Sequence, residues 1–133
     1  MKRSFIQITT CTLVILLAIS CLMTGCGKPS AFEGSRVSDE NGFWMEYSIL
    51  NREETVDLSL EEGEQLRVSM AHTVGNADVI IGRVGKEPIY KGSGQTEADF
   101  ILTIPETGTY RISITGHQAK GVASFIRIPA EGE

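Results

Sequence analysis

Thr55-Val56-Asp57-Leu58-Ser59-Leu60-Glu61-Glu62-Gly63-Glu64-Gln65-Leu66-Arg67-Val68-Ser69-Met70 decides the fold class of this chain. On both sides of a polar, glycine-bearing break, apolar residues alternate with polar ones. Val56, Leu58 and Leu60 oppose Asp57 and Ser59, and Leu66, Val68 and Met70 oppose Arg67, Ser69 and Ala71. Successive side chains of a strand point to opposite faces, so a period of two marks strands with one buried face. The break Glu61-Glu62-Gly63-Glu64 reads as a short polar turn, and the whole stretch as a hairpin.

Working outward, the alternation returns at Asp99–Ile104, through Phe100, Leu102 and Ile104. It returns again at Thr109–Thr115, where Tyr110, Ile112 and Ile114 oppose Arg111 and Ser113. Phe43–Leu50, Ala77–Val84, Pro88–Lys91 and Val122–Ile128 read as further strands. Gly75-Asn76, Gly85-Lys86, Gly92-Ser93-Gly94, Pro105-Glu106-Thr107-Gly108, Gly116 and Gly121 punctuate them as turns. No stretch carries the 3.6-residue period of a helix. About eight short strands predict an all-β, antiparallel β-sandwich with jelly-roll-like connections over residues 43–133. Val56–Leu60 and Leu66–Met70 also match Phe100–Ile104 and Tyr110–Ile114 at a constant offset of about 44 residues. A duplication produces such an echo, and so do any two hairpins with one buried face; the sequence leaves both open.

Charge and cysteines narrow the function classes. The 133 residues carry 12 Lys and Arg against 17 Asp and Glu, a net charge of −5. No basic run follows Arg3. Nucleic acid is excluded as a partner, because phosphate neutralisation needs clustered Lys and Arg. Cys11, Cys21 and Cys26 are the only cysteines, so nothing downstream of them can form a disulfide or a thiolate metal site.

The N-terminal stretch has its own logic. Lys2 and Arg3 precede an apolar run from Cys11 to Met23, about 13 residues where a spanning helix needs about 20. Leu22-Met23-Thr24-Gly25-Cys26 follows. The layout is that of an export signal, and it resembles the lipobox of bacterial lipoproteins, with Met23 where that family usually has Leu. The resemblance implies a signal peptide of residues 1–25, acylation of the Cys26 thiol, and an extracytoplasmic protein held to the cell membrane. Two acyl chains suffice for stable anchoring. Cys21, behind Leu17-Ala18-Ile19-Ser20, is a second match; Cys26 has the longer apolar run and polar sequence directly after it. Gly27–Gly42 is poor in apolar residues, so residues 26–42 read as the lipidated cysteine and a flexible linker, with a reach of roughly 20–24 Å.

Three further stretches resemble the bacterial pre-peptidase C-terminal family of β-sandwiches. They are Asp57–Val68, Gly75-Asn76-Ala77-Asp78-Val79-Ile80-Ile81, and Gly108-Thr109-Tyr110-Arg111-Ile112-Ser113-Ile114. The resemblance implies a non-catalytic module of the kind that accompanies extracellular enzymes. Within these 133 residues no enzyme domain is expected beside it, which sets the chain apart from that accessory role.

Catalytic and metal chemistry find little support. There is no Gly-x-Ser-x-Gly, and His72 and His117 lack an acid beside them in sequence. Two histidines without a free cysteine do not make the usual structural zinc site. Asp39-Glu40-Asn41 and Glu61–Glu64 are rich in oxygen ligands but lack the ordered spacing of a calcium loop. No enzyme activity, metal or cofactor is expected. Trp44 has the opposite parity to Phe43, Met45 and Tyr47, so a core-facing Phe43 turns Trp44 outward. Tyr90 sits in a short strand beside the Gly92–Gly94 loop. An exposed Trp44 and Tyr90 would stack on a glycan or a protein, although a lone tryptophan also serves to fill a core. The expectation is a non-enzymatic binding or accessory module at the cell envelope, with a purely structural envelope lipoprotein as the alternative.

Overall fold

The computed structural model describes residues 30–131. They form seven antiparallel strands: β1 (Phe32–Asp39), β2 (Gly42–Leu50), β3 (Glu53–Leu60), β4 (Gln65–Arg83), β5 (Pro88–Gln95), β6 (Glu97–Thr103) and β7 (Gly108–Ile128). No helix is present among the described residues.

β4 and β7, of 19 and 21 residues, are the spine. They pair with each other from Gln65 opposite Ile128 to Arg83 opposite Tyr110. The ladder shifts register between His72 and Asn76, where Gly75 and Gln118 take φ of +68° and +51°. On one side of this bend the strand order is β1-β2-β7-β4-β6, and on the other it is β3-β7-β4-β5. Buried side chains from both sides form one cluster, including Phe43, Leu50, Phe125 and Val68 from the first and Leu58, Ile81 and Ile112 from the second. The two halves are therefore the layers of a sandwich, and β4 and β7 run through both. Strands that switch layers at a bulge or bend are the usual corners of such packings.

The faces follow the alternation in the sequence. Leu58, Leu60, Leu66, Val68, Met70, Tyr110, Ile112 and Ile114 are all buried, and Val56, Phe100 and Leu102 pack partly against them. The partners of the strands depart from it. β3 and β4 do not form a hairpin: β3 pairs with β7, and β4 pairs with β5, β6 and β7. The Glu61–Glu64 turn is an arch between layers, and the connection from β6 to β7 is a second one. The arches clasp each other. Gly63 N–H donates to the Ile104 carbonyl (3.0 Å), Ile104 N–H to that of Glu64 (2.8 Å), and Glu62 N–H to Thr107 Oγ1 (2.9 Å).

Seven strands stand where about eight were expected. The segments on either side of Gly75 merge into β4, and those on either side of Gly116 and Gly121 merge into β7. These last two glycines serve close backbone approach rather than chain reversal. A Cβ on Gly116 would collide with the Leu50 carbonyl, and one on Gly121 with that of Ala71. The expected linker Gly27–Gly42 contains the added strand, β1, paired with β2 from Phe32 opposite Leu50 to Asp39 opposite Gly42. It is poor in apolar residues because it is an edge strand, in which only Phe32 packs on the core.

The offset of 44 residues extends to the pairing itself. It carries β3 onto β6 and β4 onto β7. Leu58 opposite Tyr110 becomes Leu102 opposite Leu66, and Val68 opposite Phe125 becomes Ile112 opposite Ile81. Arg83, closing β4, pairs with Glu106 of the second arch (2.9 Å), and Arg127, 44 residues later, pairs with Glu64 of the first (2.7 Å). The offset thus relates β3-β4 to β6-β7 in matching register; β2 and β5 take corresponding places on β7 and β4 in a different register, and β1 is added at one edge. Equivalent register favours duplication over generic hairpin likeness.

Candidate functional site

The two layers share one core and differ on their outer faces. In β2, Phe43, Met45 and Tyr47 point inward, at most 3 % exposed, and Trp44 and Glu46 point outward. Register places Val37, Trp44, Ser124, Ser69 and Asp99 in one row across β1, β2, β7, β4 and β6. The next row brings Ser35, Glu46 and Val122 beside it. Small residues at 69 and 124 leave a shallow hollow of about 400 Å³ next to the half-buried Trp44 ring, walled by Val37 and Val122. Val37, Val122 and Ile101 are 45 %, 48 % and 53 % exposed on this face.

The outer face of the other layer is mostly polar. There Arg111 holds Asp57 at 2.8 and 3.0 Å, with Thr55, Ser59 and Thr109 around them. That bond is the leading reason the Asp57 carboxyl lies below its ordinary value. On the strands of that layer Ile80, 40 % exposed, is the large apolar side chain left outside, against Val37, Val122 and Ile101 around Trp44, so the apolar cluster there exceeds what the other layer needs to close the core.

Tyr90 does not join Trp44. It lies opposite the buried Ile81 and so faces inward, with its ring 4.6 Å from that of Phe100. Its hydroxyl accepts from Gln95 Nε2 at 2.6 Å. Cys26 and the alternative Cys21 lie outside the described residues.

Both histidines are engaged. His72 Nδ1–H donates to the Gln95 carbonyl (3.1 Å), which fixes the neutral tautomer and leaves Nε2 to accept from the Tyr47 hydroxyl (2.5 Å). Burial depresses the His72 pKa, opposed by hydrogen bonds at Gln95 and Thr96, and burial pushes the Tyr47 hydroxyl up to about 12. His117 Nε2 meets Asp78 Oδ2 at 2.8 Å, and Asp78 Oδ1 accepts the Gly94 N–H at 2.7 Å. The His117 bond is the main cause that lowers the Asp78 pKa. Sequence adjacency could not reveal this pair, because 39 residues separate its members.

The two acidic loops are spent on structure. Asp39 Oδ1 accepts the Asn41 and Gly42 N–H groups at 2.7 and 3.2 Å, closing the β1–β2 turn. Glu64 is buried; its Oε2 accepts the Glu61 N–H and its Oε1 accepts from Arg127. Burial acts to raise its pKa, and the bonds from Arg127 and Glu61 outweigh that and hold it low. Among the described residues, no group of three His, Cys, Asp or Glu is placed to hold a metal ion.

No protein-family model matches the chain, and no curated protein sequence matches it. Solved structures of similar strand arrangement include PliG of Aeromonas hydrophila, a periplasmic inhibitor of g-type lysozyme. It is 14 % identical over 79 % of this chain and 93 % of its own, with a TM-score of 0.46. They also include the accessory secretory protein 1, 2 and 3 structure from Streptococcus pneumoniae, 16 % identical over 79 % of this chain and 91 % of that one, with a TM-score of 0.40. At such identities no residue role is carried over from either.

Proposed function

We propose that the chain is a lipid-anchored, extracytoplasmic, non-enzymatic binding module that engages an envelope protein through the Trp44 face. One observation carries this reading: the apolar hollow of Val37, Trp44 and Val122 lies on the outside of one layer and exceeds what the other layer needs to close the core. Exposed apolar surface of this kind, rimmed by polar groups, marks interaction sites. The engagement of both histidines in structural hydrogen bonds supports binding over catalysis. The anchor rests on Leu22–Cys26. A glycan is the second reading, because the hydroxyls of Ser35, Ser69 and Ser124 also line the hollow and suit a sugar stacked on the ring.

Trp44 is the single tryptophan, so its fluorescence reports this face alone. A photo-crosslinker at position 37 or 122, in cells producing the full chain, should trap an envelope protein. The purified partner should then blue-shift Trp44 emission, and Trp44→Ala should weaken binding about 30-fold, as for a typical aromatic hot spot. An emission shift with peptidoglycan fragments instead would select the glycan. Unchanged emission with both, or capture indifferent to Trp44→Ala, would sink the site. Palmitate labelling tests the anchor: the label should disappear in Cys26→Ala and persist in Cys21→Ala.

A further inference from the structure

A larger hollow, about 760 Å³, runs along the free edge of β3, with Val56–Leu60 on one side and the turn residues Ser38–Glu40 on the other. Two hydrogen bonds fix the direction of the β3 backbone. The Thr109 carbonyl accepts the Val84 N–H (2.9 Å), so odd-numbered residues in this part of β7 turn toward β4. Gly116 N–H donates to the Arg52 carbonyl (3.1 Å), so even-numbered ones turn toward β3. With Val56 opposite Ile112 and Asp57 opposite Arg111, the main chains of Val56 and Leu58 bond to β7. Those of Thr55, Asp57 and Ser59 face outward along the edge.

Arg36 already uses the first of these. Its Nη2 donates to the Thr55 carbonyl at 2.8 Å, as the amide of an adjoining strand would. Among the described residues, no strand pairs with this edge. Of the usual defences against strand addition the edge carries one inward-pointing charge, Glu54, and the Arg36 contact, but neither proline, lysine nor bulge. β5 carries Pro88, Lys91 and two register shifts, and β1 has a bulge at Glu33/Gly34, whereas β3 has no proline, no lysine and an unbroken register.

We propose that this hollow accepts an extended basic segment of a partner protein, added as a strand to β3. Glu40 and Glu61 line it with no ion pair among the described residues, beside Asp39, which caps the β1–β2 turn, and Asp57, which Arg111 holds; the Arg127 guanidinium there is already held by Glu64. Val56 and Leu58 offer apolar contacts for alternate side chains of the segment. Charge argues against two other occupants. The C-terminal stretch Pro129-Ala130-Glu131-Gly132-Glu133 bears only negative side chains, and a second copy carries a net charge of −5. This edge is separate from the Trp44 face, and the inference stands or falls without it.

The test is calorimetric titration of the full chain in detergent micelles with acetyl-KVKTKVKT-amide and with acetyl-EVETEVET-amide. The lysine peptide should bind, about tenfold more weakly when salt rises from about 50 to about 500 mM, and the glutamate peptide should not bind. Ser59→Pro deletes an outward N–H while sparing every bond to β7, and should weaken the lysine peptide about tenfold or more. Should that variant fail to fold, Glu40→Gln with Glu61→Gln leaves the backbone alone and should weaken binding comparably. Trp44→Ala should leave the titration unchanged. Binding of neither peptide, or of both alike, overturns the proposal. So does wild-type affinity in Ser59→Pro, which would mean charge attraction without strand addition. A wild-type dimer that Ser59→Pro dissolves would show that the edge pairs with its own copy instead.

Discussion

A proton added to His72 has nowhere comfortable to go. Nδ1–H is committed to the Gln95 carbonyl, so the proton must enter at Nε2, where the Tyr47 hydroxyl would have to turn from donor to acceptor. Burial already places the folded-state pKa below the ordinary value of 6.5. The folded protein then binds fewer protons than the unfolded chain, so this contribution to stability is complete above pH 6.5 and declines as pH falls below it. The urea midpoint should drop between about pH 7 and pH 5, before the carboxylates titrate, and should drop less in His72→Gln. Equal slopes in the two proteins would contradict this. Tyr47 acts at the other extreme: with its pKa at about 12 against an ordinary 10, stability is full below pH 10 and is lost as pH climbs through 10 to 12. Tyr47→Phe strands the His72 acceptor and should cost about 1–3 kcal/mol in denaturant unfolding. None of this pairing was visible in the sequence, where His72 is only a residue near the end of an alternating run.

Among the elements, β1 depends most on one side chain. Glu54 is 4 % exposed and receives Arg36 from β1 and Arg52 at 2.5 Å. Arg36 also covers the Phe43 ring and Arg52 the Phe32 ring, each at 5.2 Å. Glu54→Ala would remove the carboxylate that holds Arg36 and Arg52, both partly solvent-exposed, and should cost about 2 kcal/mol. Deuterium exchange should then rise first in residues 32–39; a uniform rise would mean that β1 is not a separable unit. The long strands depend on glycine instead. Gly116→Ala forces a methyl group onto the Leu50 carbonyl and should lower stability by about 1–3 kcal/mol, read from the thermal midpoint. The alternation showed which face each of these strands buries, and made Trp44 outward only on the condition that Phe43 is core; Phe43 is buried and Trp44 is half-buried on the outer face. It could not show partners. An arch and a hairpin demand the same polar turn and the same alternating flanks, so Glu61–Glu64 looks identical in either role. Tyr90 was unreadable for a related reason: β5 has no clean alternation and two register shifts, and only its pairing with Ile81 fixes its side.

At the scale of the whole molecule, each half of the chain completes the other. β3 finds its partner in β7 and β6 finds its partner in β4, so neither β2-β3-β4 nor β5-β6-β7 closes a layer alone. Cutting the chain in the exposed Gly85-Lys86 turn should give two fragments that are unfolded separately and regain the native circular dichroism spectrum when mixed. A fragment that folds by itself would contradict the interlock. The repeat was legible as an offset in the sequence. Its meaning was not, because the equivalence lies in register across strands far apart in the chain.

The position of β1 also has a mechanical consequence. β1 is the first strand among the described residues, so tension arriving from its N-terminal side is borne by β1 first. A pull away from the sheet loads its ladder one rung at a time from the Phe32–Leu50 pair, and strand pairs opened serially yield at low force. Halfway along, the tear meets the Arg36–Glu54 cross-link, which ties β1 to the opposite layer. Short tugs would spend themselves on the first few rungs, and the rest of the sandwich would feel only what passes that rivet.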